Sequence, residues 1–140
     1  MPPITRFFLK SGLFYLVLAI SIELFATFPH FPLYSIAVQL RPTAFHCFFI
    51  GWMTQMIFGV SHWFFPIVRG AHPRGNPLLI TISFWALNIG LITRFFSEAS
   101  FWQEIIPWRE WFLVTSSVLQ WIAFIAYAGH IWPRIKQKGH

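Results

Sequence analysis

The chain has 140 residues, of which 56% are hydrophobic and 10% are charged, and its formal net charge is +6. A soluble domain usually carries about 25% charged residues, so this composition excludes an ordinary soluble protein. Four apolar stretches fill most of the chain, and each could cross a hydrocarbon core about 30 Å thick. We therefore predict a single all-α transmembrane domain over residues 1–140. It would be a four-helix bundle, up-down-up-down, with both termini cytoplasmic.

The predicted spans are residues 8–28, 42–66, 77–96 and 111–132. Pro29 and Pro32 end the first span, because proline interrupts the interior of a helix. Pro42 opens the second span, since proline suits the first turn of a helix. Glycine, proline and asparagine dominate the loop before the third span, which predicts a turn. Residues 98–110 are predicted to lie on the outer membrane surface as an amphipathic stretch.

The basic residues are distributed unequally between the two ends of these spans. With alternating spans, one side carries Arg6, Lys10, Arg69, Arg74, Arg134, Lys136 and Lys138. The other side carries Arg41, Arg94 and Arg109 together with Glu98, Glu104 and Glu110. Basic residues concentrate in cytoplasmic loops, which predicts the orientation and a place in the bacterial inner membrane. The positive charge is explained by the lipid bilayer, and no nucleic-acid partner is expected.

Several polar side chains fall inside the predicted spans, where they usually face other helices or serve a function. Gly51, Gln55 and Gly59 are spaced by four residues, which predicts a helix-packing face because small residues let helices approach closely. The other intramembrane polar residues singled out are Glu23, Asn88 and Gln120. An oligomeric transporter or sensor could use these three as a polar path. Against it, Glu23 has no predicted lysine or arginine partner at its depth.

Histidine is the residue type here that most readily binds a metal. His46 lies on the opposite face of the second span from the glycines, toward a different partner. Two interpretations are open: an interfacial histidine bonded to a backbone carbonyl, or a metal ligand. Haem iron can be held by two axial histidines, and His30 lies at comparable depth within the chain. A second His46 from a partner chain is the alternative. His62 and His130 could meet at the inner end, where interface residues are expected.

The second span resembles part of a known family. The residues are Leu40-Arg41-Pro42-Thr43-Ala44-Phe45-His46, Gly51-Trp52 and His62-Trp63-Phe64-Phe65-Pro66. They resemble the second helix of subunit I in haem-copper oxidases, in the cbb3-type and nitric-oxide reductase branches. In that family an arginine-containing outer loop precedes a histidine that ligates the low-spin b haem. The whole chain is similar to small four-helix bacterial membrane proteins that resemble the N-terminal helices of subunit I.

This resemblance implies a small multi-pass subunit of a bacterial electron-transport complex, respiratory or related. It implies a b-type haem near the outer face, with His46 as iron ligand. The later helices of subunit I, which carry the copper and active-site haem ligands, have no counterpart here, and Ala44 stands where relatives carry a further histidine. No catalytic activity is therefore expected of the chain alone. A haem-free structural or assembly subunit is the alternative, with other membrane subunits or further copies of the chain as partners.

Overall fold

The computed structural model describes residues 1–67, 72–99, 104 and 107–135, and every regular element among them is helical. The elements are α1 (Pro3–Phe25), α2 (Tyr34–Gln39), α3 (Arg41–His46), a π-helical segment (Cys47–Thr54), α4 (Gln55–Phe64), α5 (Pro77–Glu98) and α6 (Arg109–Ile135). The α3 helix, the π-helical segment and α4 are continuous, so Arg41–Phe64 is one long helix. With α1, α5 and α6, this helix makes four that are long and apolar enough to cross a membrane. The predicted all-α class with four such helices is confirmed.

The ends of these helices follow from their capping residues. Pro3 and Pro77 stand in the first turns of α1 and α5, where the missing N–H of proline costs no hydrogen bond. The Asn76 side chain accepts a hydrogen bond from the Leu78 N–H at 2.9 Å and caps α5. The last helix continues past its predicted end at residue 132, through Pro133 to Ile135. Proline so near a C-terminus removes one helical hydrogen bond without ending the helix.

The long helix Arg41–Phe64 packs against α1 at its glycines. A Cβ atom on Gly51 would lie 2.6 Å from Cβ of Tyr15, and one on Gly59 would lie 2.9 Å from Cβ of Phe8. Both distances are too short for a real side chain, so only glycine permits this approach. The contacts run in opposite order along the two helices, because Gly51 meets Tyr15 whereas the later Gly59 meets the earlier Phe8.

The α5 and α6 helices form the second close pair. Ser116 Oγ donates to the Gly90 carbonyl at 2.8 Å, and Arg109 Nε donates to the Ser97 carbonyl at 2.6 Å. These contacts also run in opposite order along the two helices. The serine hydroxyl thus forms a hydrogen bond between the two helices.

An aromatic cluster joins the two pairs of helices. Its buried members are Phe8, Phe58, Ile80, Phe84, Tyr127 and Ile131. The rings of Phe58 and Tyr127 stack at 3.6 Å between centroids. In contrast, Phe14, Trp85 and Trp121 are about two-thirds exposed on the outside of the bundle. The exterior of the bundle therefore carries large apolar side chains.

Some predictions fall outside the described residues. The basic residues Arg69, Lys136 and Lys138 do so, as do six of the thirteen residues in the predicted surface stretch 98–110. Glu98, the first residue of that stretch, instead ends α5. The short α2 helix occupies the apolar segment that follows Pro32.

Candidate functional site

Polar side chains gather at two opposite ends of the bundle. At the His46 end, defined by Glu23, Arg41, His46 and Glu98, contacts join α1, α3 and α5. At the His62 end, defined by His62, Asn76, His130 and Arg134, contacts join α4, α6 and the turn before α5.

His46 is the last residue of α3, where the helix passes into the π-helical segment. Its Nδ1 lies 3.0 Å from the Pro42 carbonyl and 3.3 Å from Oε2 of Glu98. Both neighbours only accept, so Nδ1 carries the proton and donates. In the neutral ring, Nε2 therefore keeps its lone pair. A bond to a backbone carbonyl was predicted for His46 if it were an interfacial residue. The contact with Glu98 was not predicted.

Glu98 connects α5 to α3. Its Oε2 accepts from Thr43 Oγ1 at 3.2 Å as well as from His46, and its side chain is only 14% exposed. A carboxylate held by two donors from one neighbouring helix is a fixed orienting group. Glu98 lies two residues beyond the predicted end of the third span at residue 96, so its contact with His46 was not predicted. Because α5 continues for two residues beyond the predicted span, Glu98 is part of the helix and faces α3.

Two apolar depressions lie beside His46. A cavity of about 170 Å³ is lined by Phe45, His46, Phe49 and Ile50. A larger groove of about 310 Å³ shares Phe45 and Phe49 and extends to Glu23 of α1. A small-molecule site usually has about 300–1,000 Å³, so the cavity at His46 could enclose only part of a ligand.

His30 is exposed in the turn between α1 and α2. No hydrogen bond or ring contact joins it to His46 among the residues that the structure describes. It remains a predicted second ligand and is not part of the cluster around Glu98.

Among the described residues, the remaining predicted polar side chains each have a different bonding partner. Glu23 Oε2 lies 3.6 Å from Nε of Arg41, and both side chains are 46% exposed. The predicted lack of a cationic partner for Glu23 is therefore wrong, because α3 begins with an arginine beside the last turn of α1. Asn88 Oδ1 accepts from Gln55 Nε2 at 3.2 Å. Gln120 Nε2 donates to Ser116 Oγ at 3.2 Å.

The residues of the predicted packing face have two different partners. Gly51 and Gly59 face α1, while Gln55 is fully buried and bonds to α5. This face therefore lies at the junction of three helices.

His62 and His130 meet in the interior at the His62 end. Nδ1 of His62 lies 2.9 Å from Nε2 of His130, and the two residues are 4% and 1% exposed. Nδ1 of His130 lies 3.0 Å from the Asn76 carbonyl. The sequence predicted interface residues here, but the structure buries both rings, because α4 and α6 pack together through the stacked aromatic side chains one turn away.

Arg134 closes the same end of the bundle. The residue is 1% exposed, and its guanidinium donates to the carbonyls of Phe65, Pro66 and Arg74 at 2.5, 3.2 and 3.3 Å. Arginine suits this role because its planar fork holds several donors in fixed directions. Sequence reasoning counted Arg134 only as one positive charge of the cytoplasmic side.

Within the described part of the chain, no three or more histidine, cysteine, aspartate or glutamate side chains gather to hold a metal ion. His46 with Glu98 and His62 with His130 are each only a pair. Comparisons with models of protein families, with curated proteins and with solved structures found no match.

Proposed function

We propose that the chain is a multi-pass protein of the bacterial inner membrane, with its helices up-down-up-down and both termini cytoplasmic. Four helices of spanning length and an apolar exterior support insertion. The opposite order of contacts within each helix pair supports the alternating arrangement. Arg74 and Arg134 lie at the His62 end, which supports a cytoplasmic location for that end.

We further propose that it is a subunit of an electron-transport complex in which His46 would ligate the iron of a b-type haem. The observation that carries this proposal is the double anchoring of His46 Nδ1 by Pro42 and Glu98. Histidines that bind metals usually donate their other ring N–H to a carboxylate or a backbone carbonyl. Anchoring through Nδ1 leaves Nε2 as the donor atom for iron. A bound haem would supply one-electron transfer.

The residues around His46 fit such a group in part. Glu98 orients the imidazole and makes it a stronger donor, while Phe45 and Phe49 form an apolar wall that excludes water. The cavity is too small to enclose the ligand within one chain. A partner subunit or a second copy would cover the other face of such a group and supply a second iron ligand, unless His30 does.

The test is the haem content of the complex isolated from native membranes through a tag on this chain. A dithionite-reduced minus oxidised spectrum is expected to contain a b-type α band that is lost in His46→Ala. The matched control is His72→Ala, an exposed histidine in the turn before α5, which should keep the band. Equal haem in His46→Ala and wild type, with the complex intact, would overturn the assignment.

A haem-free structural subunit is the second candidate, and one observation favours it. The contacts that orient His46 also tie α3 to α5, which is a structural role in itself. This function predicts an intact complex with no haem attributable to His46, and dissociation when Glu98 is replaced by alanine. A transporter is less favoured, because Glu23, Asn88 and Gln120 each bond to a different neighbour.

A further inference from the structure

The hydrogen bond between His62 and His130 has a defined direction. The Asn76 carbonyl can only accept, so Nδ1 of His130 carries a proton. In the neutral ring, Nε2 of His130 then accepts, and Nδ1 of His62 donates to it across 2.9 Å. Nε2 of His62 is left unprotonated, with no hydrogen-bond partner among the described residues. One further proton can be added there without breaking the pair.

A second proton cannot be added in the same geometry. With both rings doubly protonated, two N–H donors would face each other at 2.9 Å and two positive charges would adjoin. The neighbouring charged groups disfavour a second added proton further, because Arg134 on α6 and Arg74 before α5 are both cations. Tyr127 of α6 is the other titratable neighbour. Tyr127 itself packs in a core cluster with apolar side chains from α1 and α5, namely Ile4, Phe8, Ile80 and Phe84.

Two features make the histidine pair a poor metal site. It offers two nitrogen donors where a zinc ion needs four ligands. The adjacent cations Arg134 and Arg74 would repel a metal ion.

His130 also holds the turn before α5 in place. Besides the bond from Nδ1 to the Asn76 carbonyl, the ring is in close contact with Gly75, where a Cβ atom would lie 2.8 Å from Cε1 of His130. Gly75 has φ of +85°, a conformation that side chains disfavour. The turn is thus shaped to fit against the histidine pair, and Arg134 ties it again through the Arg74 carbonyl.

We propose that His62 and His130 form a proton-binding pair that controls the docking of residues 72–76 on α6. The docked state holds at most one added proton, whereas separated rings can hold two. Because the undocked state binds more protons, undocking is favoured as the pH falls and docking as it rises. The ligand is the proton, and the responding element is the turn between the second and third long helices. This inference does not depend on haem.

The test is hydrogen–deuterium exchange of the Gly75 and Leu78 amides in lipid nanodiscs, from about pH 7.5 to about pH 5, the range in which histidine titrates. Both amides are hydrogen-bonded within or beside the turn. After correction for intrinsic exchange, the wild type should open up to about tenfold more per pH unit for each extra proton bound. His62→Gln should remove this acid response, because a doubly protonated His130 could donate through Nδ1 to the Asn76 carbonyl and through Nε2 to the glutamine side-chain oxygen. His72→Gln, the exposed control, should keep it.

An acid response that is equal in His62→Gln and wild type would overturn the proposal, as would a wild type with no response. A measurement on the wild type alone covers the case in which the variant does not fold. In protein labelled with ¹⁵N-histidine, the N–H···N bond should give a scalar coupling between the two ring nitrogens at neutral pH. The coupling should vanish over the pH range in which exchange rises, and its persistence while the turn opens would also refute the proposal.

Discussion

At the residue scale, Gly51 and His46 differ in how far their contacts could be predicted from the sequence. The spacing of Gly51, Gln55 and Gly59 by four residues predicted a packing face without identifying the neighbour. The structure supplies Tyr15 and Phe8 of α1 for the glycines and Asn88 of α5 for the glutamine. For His46, the nearby carbonyl of Pro42 was foreseeable because it is four residues away. Glu98 was not foreseeable, since it lies 52 positions further along the chain.

A Cβ atom on Gly51 should destabilise the bundle. Gly51→Ala would place it 2.6 Å from Tyr15 Cβ, in the backbone-proximal part of that side chain, which cannot swing away. Overpacking of this kind typically costs about 1–3 kcal/mol, and we expect the free energy of unfolding in detergent to fall by that amount. Gly129→Ala is the matched control, because its Cβ would lie 3.7 Å from Leu79 Cδ1, an ordinary contact. Equal unfolding free energies for the two variants would contradict this account.

At the scale of elements, the helix ends decide where the functional side chains lie. Eight residues of π-helix, Cys47–Thr54, follow His46 directly. A π-helix turns less per residue than an α-helix, so the angle between His46 and the glycine face departs from the uniform 100° per residue assumed from sequence. No local sequence feature of these apolar residues predicts the passage from α-helix to π-helix. At the start of α5, by contrast, Asn76-Pro77 is an ordinary beginning of a helix and was predictable.

Loss of the α5 cap should be measurable. Asn76→Ala removes the acceptor of the Leu78 N–H, and N-cap replacements by alanine cost about 0.5–2 kcal/mol. The Asn76 carbonyl that accepts from His130 is unaffected, because it belongs to the backbone. Unfolding in detergent should therefore occur at lower denaturant in Asn76→Ala, whereas Asn76→Asp, which keeps a capping oxygen, should resemble wild type. A destabilised Asn76→Asp would show that the side chain has another role.

At the scale of the whole molecule, the two polar ends distinguish the sides of the proposed membrane protein. The His62 end contains the buried Arg134, with Arg74 beside it, and at the His46 end Arg41 is paired with Glu23. An excess of lysine and arginine favours the cytoplasmic side. The apolar surface between these ends matches a hydrocarbon core in length, since each long helix has more than 20 residues.

Cysteine labelling should establish the orientation. In a Cys47→Ala background, His30→Cys and His72→Cys each place one thiol on an exposed residue at opposite ends of the bundle. A membrane-impermeant maleimide added to spheroplasts is expected to label the first variant and to label the second only after lysis. The reverse pattern would invert the proposed topology, and labelling of both from outside would contradict an alternating four-span arrangement.

The sequence by itself determined the helical class and the number of span-length helices. These depend on local properties, namely apolar length, proline positions and capping residues, which do not require knowledge of distant neighbours. Only the tertiary structure decided the pairing of His46 with Glu98, of His62 with His130, and of Arg134 with three carbonyls. Each of these contacts joins residues more than 50 positions apart. Their existence depends on how helices rotate and pack, and a π-helical segment of only eight residues is enough to change that rotation.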